Sequence, residues 1–499
     1  MIPDHPQRDY RDLNILVMGL GSFGGGLGVV RFLNDRGARI TITDTRPAEK
    51  LTESLAELQS IDNLQFKLGG HDDTDFRSAD LIVVNPAIRP DNPYLQLARE
   101  AGVPLTSEMN LFWQWNPAPV TAVTGSNGKS TTTAMIHTIL LQSGRRAWLG
   151  GNIGISLLPV VDQIQPDDIV VLELSSFQLT DLDRLQVSPA VSVITNFAPN
   201  HLDWHDSLDH YRWAKQTMLR WQQPTDVAVL NGDDADTREW NCQGRRLLFG
   251  LTDHATDGVF SDPDGDAIVR TDGQQQPLLL KQWLKLPGRH NLANALAATC
   301  VSLQFDASHQ DIQRGLKEYQ PLPHRLQWIA DVHGRSFYND SLATTPESAI
   351  VGLEAFDAPV VLLAGGYDKQ VDLSEMASAI SRRAKAVALL GQTAGTIREL
   401  IDRKPALTCL TSPEFDSFSQ AFDWAVAQSD PGDVVLLSPG CASYDWFRNF
   451  ADRGQQFVEL VNQLKLPENE RVASVNHPDS DSRAPGTAEF PPPRDESVD

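Results

Sequence analysis

Short apolar runs, each closing on glycine, asparagine or an acid and each followed by a stretch of helical period, recur along most of this chain. The first set is ILVMGL (15–20), a glycine-rich turn, the helix-period segment VVRFLNDRG and a second strand ITITDT (40–45), which together read as a βαβ opening. Further strands are predicted at LIVVN (81–85), VTAVTG (120–125), DIVVLEL (168–174) and VSVITN (191–196). Strands alternating with helices in this way predict α/β layers built on parallel sheets. The proline-punctuated NPAPV (116–120) marks a boundary between 105 and 118. YQPLPHRLQ (319–327), with two prolines within three residues, breaks any regular element and marks a hinge near 320. A third α/β unit follows in SFYND, VVLLAGG, AVALLG, ALTCL and VVLLSPG. The predicted fold is three consecutive α/β domains over 1–107, 108–320 and 321–466, the first and last Rossmann-like. From Pro467 onward the periodicity dissolves into six prolines and eight acids against three bases, a composition that predicts a disordered acidic tail over 467–499.

Length agrees with that division, since 499 residues at about 150 per domain suggest three. Lys and Arg total 42 against 65 Asp and Glu, a net charge of −23, which excludes a nonspecific binder of nucleic acid or of anionic membranes. Any anionic ligand must therefore be held by local groups. At 41% hydrophobic and 21% charged residues the chain can bury real cores. Cys242, Cys300, Cys409 and Cys441 contain no CxxC pair, which argues against a disulfide framework or a thiolate zinc site and for a reducing compartment. The N-terminus lacks the layout of a signal peptide, and no apolar run approaches the roughly 18 residues that would cross a bilayer. These features predict a cytoplasmic protein with no membrane insertion.

Candidate chemistry begins at VTGSNGKSTTT, where Gly125, Ser126, Asn127, Gly128, Lys129 and Ser130 stand between a β-branched strand and a helix. This GxxGKS spacing is one form of the phosphate loop and makes the central unit a P-loop domain. The glycines let backbone N–H groups close around a polyphosphate, Lys129 neutralises the outer phosphates and Ser130 offers a hydroxyl to Mg²⁺. Gly19, Gly21 and Gly24 satisfy GxGxxG after a strand, and Asp44 closes the second strand. That combination fits a dinucleotide fingerprint with a ribose-binding acid, so a nucleotide-dependent dehydrogenase is a rival reading, which the later phosphate loop disfavours. Glu173 ends a buried strand, where phosphate-loop proteins bring a carboxylate to Mg²⁺. His201, Asp203, His205, Asp206, His210 and Lys215 follow in a short span, most of them expected to be solvated or capping. Lys215 as an ammonium would repel a cation, whereas a carbamylated lysine would present a carboxylate to it.

Taken together with GGNIG (150–154), LELSSFQL, TNFAPNHLDWH, HYRWAK, LPGRHNLANALAA, LPHR, NDS (339–341), AGGYDK (364–369) and LLSPGCASYDWFRNF, these motifs resemble the Mur ligase family, ATP-dependent amide-forming enzymes of peptidoglycan synthesis. The resemblance runs from about residue 14 to 466. It implies that the three domains bind a UDP-sugar, ATP and the incoming amino acid, and that the closest match is to members joining D-glutamate to UDP-N-acetylmuramoyl-L-alanine. The first turn would then hold the uridine diphosphate portion, with Ser22, Phe23, Asp44, Thr45 and Arg46 nearby and Asn152 touching the sugar-nucleotide. Thr131, Asn291, Asn294, Arg325 and Asp340 join the loop residues as ATP contacts. Ser130, Glu173, His201 and carbamylated Lys215 would bind Mg²⁺, with Lys129, Lys215, His201 and Glu173 the catalytic set. Thr344, Lys369, Ser443 and Phe450 would receive glutamate, and the protein would act as a monomer. Leu342 stands where many D-glutamate ligases carry lysine, so the L isomer stays open, as do another Mur-type or folylpolyglutamate ligase and a regulatory ATP-binding protein.

Overall fold

The computed structural model describes residues 9–20, 25–201, 204–321, 323–403 and 409–465. Ser22, Phe23 and the acidic tail, all singled out from sequence, lie outside them. Three sheets form, of five, nine and six strands. The first contains β1 (Asn14–Met18), β2 (Arg39–Asp44), β3 (Gln65–Leu68), β4 (Leu81–Val84) and β5 (Leu105–Thr106), ordered β3-β2-β1-β4-β5 and parallel throughout. Its order reverses between β1 and β4, so the crevice beyond Met18 is a topological switch point where ligands of open α/β sheets bind. The helix Gly25–Asp35 buries Val29, Val30, Phe32 and Leu33, spaced at three and four residues so that one stripe faces the sheet.

The second sheet holds β6 (Val120–Thr124), β7 (Ala147–Gly151), β8 (Ile169–Glu173), β9 (Val191–Ile194), β10 (Val227–Asn231), β11 (Arg245–Gly250), β12 (Gly258–Ser261), β13 (Ala267–Thr271) and β14 (Gln274–Leu278). Their order is β14-β13-β12-β11-β10-β9-β6-β8-β7. β6, β8 and β9 are buried at every position, which explains their largely apolar sequences, interrupted only by Thr121, Thr124, Ser192 and the closing Glu173: both faces of a central parallel strand are covered. The last strands extend the sheet by antiparallel hairpins, which the sequence reading did not foresee. β14 carries Pro277 on the outer edge, where a missing ladder donor is tolerated.

The third sheet comprises β15 (Gln327–Val332), β16 (Arg335–Asn339), β17 (Val360–Gly365), β18 (Ala384–Leu390), β19 (Leu410–Thr411) and β20 (Val434–Leu437), ordered β15-β16-β20-β17-β18-β19. β15 runs antiparallel to β16, and the other pairings are parallel.

By contact density the chain divides into two compact units, 1–285 with 292–319, and 286–291 with 320–499. The first two sheets thus share a unit. The reason is a continuous core in which Tyr10, Val30 and Phe32 of the first layer join Leu111, Phe112, Leu157, Leu158 and Val161. Arg36 Nη2 donates to both carboxylate oxygens of Asp162, and the guanidinium lies over the Phe32 and Trp115 rings. Among the described residues no helix is long and apolar enough to cross a membrane.

Candidate active site

The phosphate-loop segment leaves the carboxyl end of β6, between β8 and β9. Backbone geometry there admits only glycine: Gly125 has φ +149°, and a Cβ would stand 1.9 Å from the Thr195 hydroxyl. Gly128 has φ +81°, with a Cβ position 2.4 Å from Asn294 Oδ1. The loop is held from outside by β9 and the segment after it. Asn127 N–H donates to Asn196 Oδ1 at 2.9 Å, Thr195 Oγ1 donates to Asn127 O at 2.5 Å, and the Ser126 hydroxyl donates to Ala198 O at 2.8 Å. Lys129 Nζ folds back onto Gly125 O and Ser126 O at 3.1 and 3.0 Å. A concave backbone with a lysine at its rim, opening the helix Lys129–Gln142, is a polyphosphate cradle. Thr131 is buried one turn in. Asn294, expected to touch ATP, accepts from Thr132 Oγ1 at 3.2 Å behind Gly128, so it supports the loop from the rear.

Strand register puts Glu173 opposite Val123, next to the loop. Its Oε1 accepts from Asn152 Nδ2 at 2.9 Å, while Oε2 is buried with no hydrogen-bond partner. An orphaned buried carboxylate oxygen is costly unless something cationic completes it. Lys215, on the helix Leu208–Arg220, is 1% exposed. Its Nζ donates to Gly125 O at 2.8 Å and stands 4.7 Å over the Tyr211 ring. Burial holds its amine well below the usual lysine range, the Lys129 charge pushes it further down, and Glu173 opposes them. Phosphate loop, Glu173 and Lys215 are therefore one cluster.

His201 lies on a turn at φ +54°, exposed, with its ring 5.1 Å from Phe177 and 6.3 Å from Tyr211. Among the described residues no three His, Cys, Asp or Glu side chains gather as a metal cage. Glu173 and His201 alone suit a hard cation that keeps waters and phosphate oxygens, as Mg²⁺ does, better than a closed zinc site. The open oxygen of Glu173 fits such an ion.

His205 departs from the expectation of a solvated loop residue. It is buried, its Nε2 pairs with Ser176 Oγ at 2.9 Å, and Phe177, Trp204, His210 and Tyr211 surround it. Burial, with the nearby His210 and His201 charges, lowers its pKa to about 4, so it is neutral near pH 7. Only the ring of aromatic residues around it in HLDWHDSLDHYRW hinted at this.

At the first sheet Asp44 is buried and fully engaged. It accepts from Leu20 N–H at 3.1 Å and from the Arg46 guanidinium at 2.9 and 3.1 Å. Burial raises its pKa, but these bonds outweigh it and hold the carboxyl below the ordinary aspartate value. Asp44 thereby fixes the backbone where the described chain leaves β1 at Leu20, with Thr45 exposed beside it.

In the other unit, Asp340 is buried at the end of β16. Its Oδ2 accepts from Ser438 Oγ at 2.7 Å and its Oδ1 from Leu326 N–H at 3.0 Å, next to Arg325. Desolvation raises its pKa to about 6 against those bonds. Asn291 is buried and donates to Pro287 O at 2.7 Å. Thr344 follows Asp340 in the same turn, whose Ala343 N–H donates to Asp340 O. Lys369 is exposed after β17, Ser443 is buried after β20, and Phe450 opens the helix Phe450–Leu464. Phe450 O accepts from Ser341 Oγ at 2.7 Å, which joins two of these loops. All four cysteines are free thiols.

Three family models match in order: a MurD-like N-terminal domain of Mur ligases over residues 13–107, a Mur ligase middle domain over 123–302 and a Mur ligase glutamate ligase domain over 324–441. The chain is 39% identical over 458 residues to a UDP-N-acetylmuramoylalanine–D-glutamate ligase of Roseiflexus sp. (strain RS-1), covering 90% of this chain and 98% of that one. It is 34% identical over 460 residues to a ligase of the same name from Alkaliphilus oremlandii, at 91% and 99% coverage. Among solved structures, a UDP-N-acetylmuramate-alanine ligase from Thermotoga maritima superposes with TM-score 0.60 at 20% identity, over 90% of this chain and 99% of that one. A MurF ligase from Thermotoga maritima in complex with ADP gives 0.55 at 18%, over 92% and 96%. At such identities these two speak to the fold alone.

Proposed function

The chain belongs to the Mur ligase family, and from that premise we propose the reaction and the residues that carry it. The protein is an ATP-dependent ligase of peptidoglycan precursor synthesis that joins D-glutamate to UDP-N-acetylmuramoyl-L-alanine, releasing ADP and phosphate. A carboxylate is a poor electrophile, so the alanyl carboxylate first takes the γ-phosphoryl group of ATP to give an acyl phosphate. The glutamate amine then attacks the acyl carbon, the C–O bond to phosphate breaks, and the amine proton is lost to solvent or base.

Every substrate is anionic, so the main electrostatic task is to offset charge that develops on the transferred phosphoryl group. The loop N–H groups from Gly125 to Ser130 bind the phosphates. Lys129, released from Gly125 O and Ser126 O, meets the outer ones. Mg²⁺, when bound, supplies charge neutralisation at the phosphates, held by Ser130, Glu173 and His201. The observation that carries this reading is the buried, unpartnered Oε2 of Glu173 beside the phosphate loop.

Lys215 supplies the remaining ligand. Burial that holds the Lys215 amine below the ordinary lysine range favours the unprotonated form that adds to CO₂: the N–C bond forms, one proton leaves, and a carbamate faces the site. In this reading Asn152, tethered to Glu173, reads the sugar-nucleotide, and its uridine diphosphate end meets Asp44, Thr45 and Arg46. Arg325, Asp340, Asn291 and Asn294 serve ATP. Thr344, Lys369, Ser443 and Phe450 receive glutamate. The reading extends to a cytoplasmic protein acting as a monomer; four free thiols support a reducing compartment.

Phosphate release with UDP-N-acetylmuramoyl-L-alanine and Mg-ATP tests this reading, with D-glutamate, L-glutamate and diaminopimelate compared. Turnover with D-glutamate alone is expected. Equal turnover with the L isomer would instead tie Leu342 to relaxed stereochemistry. Lys215→Ala abolishes turnover, and short carboxylic acids restore part of it; full activity without them removes the carbamate from the mechanism.

A further inference from the structure

One arginine sits where arginine is rarely found. Arg453, one turn into the helix Phe450–Leu464, is 1% exposed, although arginine is almost never fully buried unless paired. Among the described residues no carboxylate forms an ion pair with it. Its fork instead grips neutral oxygens on two separate loops. Nε donates to Ser341 Oγ at 3.0 Å and Nη2 to Ser341 O at 2.9 Å, while Nη1 donates to Cys441 O at 3.1 Å and Ala442 O at 3.3 Å.

A third loop rests on the same fork. A Cβ on Gly366 would lie 3.4 Å from Nη1 and 2.2 Å from Ala442 O, so only glycine lets this strand end come so close. Backbone bonds then weld the three loops together: Tyr367 N–H donates to Ala442 O at 2.9 Å, and Gly440 N–H to Ala343 O at 2.8 Å. Ser341 precedes Thr344, Gly366 precedes Lys369, and Ala442 precedes Ser443. Phe450 lies on the arginine's own helix.

We propose that Arg453 is a positioning residue for the incoming amino acid, tying three loops into one pocket floor and placing a buried positive charge beneath the site of a dicarboxylate. This rests on the reading above that Thr344, Lys369, Ser443 and Phe450 receive glutamate. The fork geometry matters because a lysine carries the charge but cannot reach four oxygens at once. No carboxylate salt-bridges the fork, and Asp445 and Asp340 act on it only from further off, so part of its field is left to favour the substrate.

The test uses the full-length protein with Arg453→Ala and Arg453→Lys, measuring KM for each of the three substrates, kcat, and hydrogen exchange at the amides of Tyr367 and Gly440. Expected for the Ala variant is a rise of about 10²-fold in glutamate KM, within the range set by losing a buried charged hydrogen-bonding group. ATP and sugar-nucleotide KM stay within about twofold. Millimolar guanidinium lowers the glutamate KM again, and the Lys variant falls between. Faster exchange at Tyr367 and Gly440 is expected in both variants, whatever the substrate. An unchanged glutamate KM in folded protein overturns the proposal, as does a uniform change in all three KM values, which marks a merely structural role. Where the Ala variant fails to fold, the same split in the Lys variant decides. If the wild-type enzyme takes no glutamate yet exchange at the two amides still responds to the variants, the functional reading fails and the loop tie stands.

Discussion

Glu108 shows what one side chain can contribute. It opens the helix Glu108–Trp115 and accepts from Ser156 Oγ at 2.6 Å, and desolvation raises its pKa from 4.5 to about 7 against that bond. The folded pKa lies above the unfolded one, so below about pH 4.5 both states hold the proton and burial costs nothing. From there to about pH 7 only the native state keeps it, and stability falls as pH rises. Glu108→Gln keeps the acceptor and removes the ionisation. Its melting temperature is expected to exceed the wild type by about 2–4 °C at pH 8 and to match it near pH 4.5; an equal offset at both values refutes the ionisation argument. Glu173→Gln tests the catalytic centre at the same scale, with an expected loss of about 10²–10³ in kcat and little change in melting temperature. Lys129 was singled out in the sequence because its motif's spacing implies chemistry, Glu173 because it ends a strand beside that loop, and Lys215 through the family resemblance. His205 and Arg453 were not, since a histidine or arginine in a polar stretch reads as solvated until packing shows otherwise.

At the scale of elements, the glycines carry the clearest constraints. Gly128→Ala places a Cβ in a left-handed conformation that costs about 1–2 kcal/mol and drives it against Asn294 Oδ1. The expected result is a rise of at least about tenfold in ATP KM with the glutamate KM unaffected, read from steady-state kinetics; an unaltered ATP KM would show that the loop tolerates the side chain. The parallel strands β1, β4, β6, β8, β9, β17 and β20 could be read from sequence because each is an apolar run buried on both faces. The edge extension β12 to β14 could not. β12 is buried at all four positions, β14 carries Pro277 and three consecutive glutamines (Gln274 to Gln276), and the strands pair locally, so no strong periodic signal marks them.

For the whole molecule, the net charge of −23 works against three anionic substrates. Screening weakens repulsion beyond a Debye length, about 8–10 Å near physiological salt. At fixed free Mg²⁺, kcat/KM for the sugar-nucleotide is therefore expected to rise between about 0.01 and 0.15 M salt, the reverse of a basic site that gathers anions; a fall would show that local cations dominate even at a distance. The three α/β layers and a polyphosphate site followed from short-range order alone, because strand, turn and phosphate-loop patterns are written within a few tens of residues. Which charged groups lose their water did not. Lys215, Glu173, Asp340 and Arg453 come to be buried through packing of segments tens to hundreds of residues apart. Burial sums contributions from all of them, so the lowered pKa of Lys215, the open oxygen of Glu173 and the loop contacts of Arg453 exist only once the chain has folded around them.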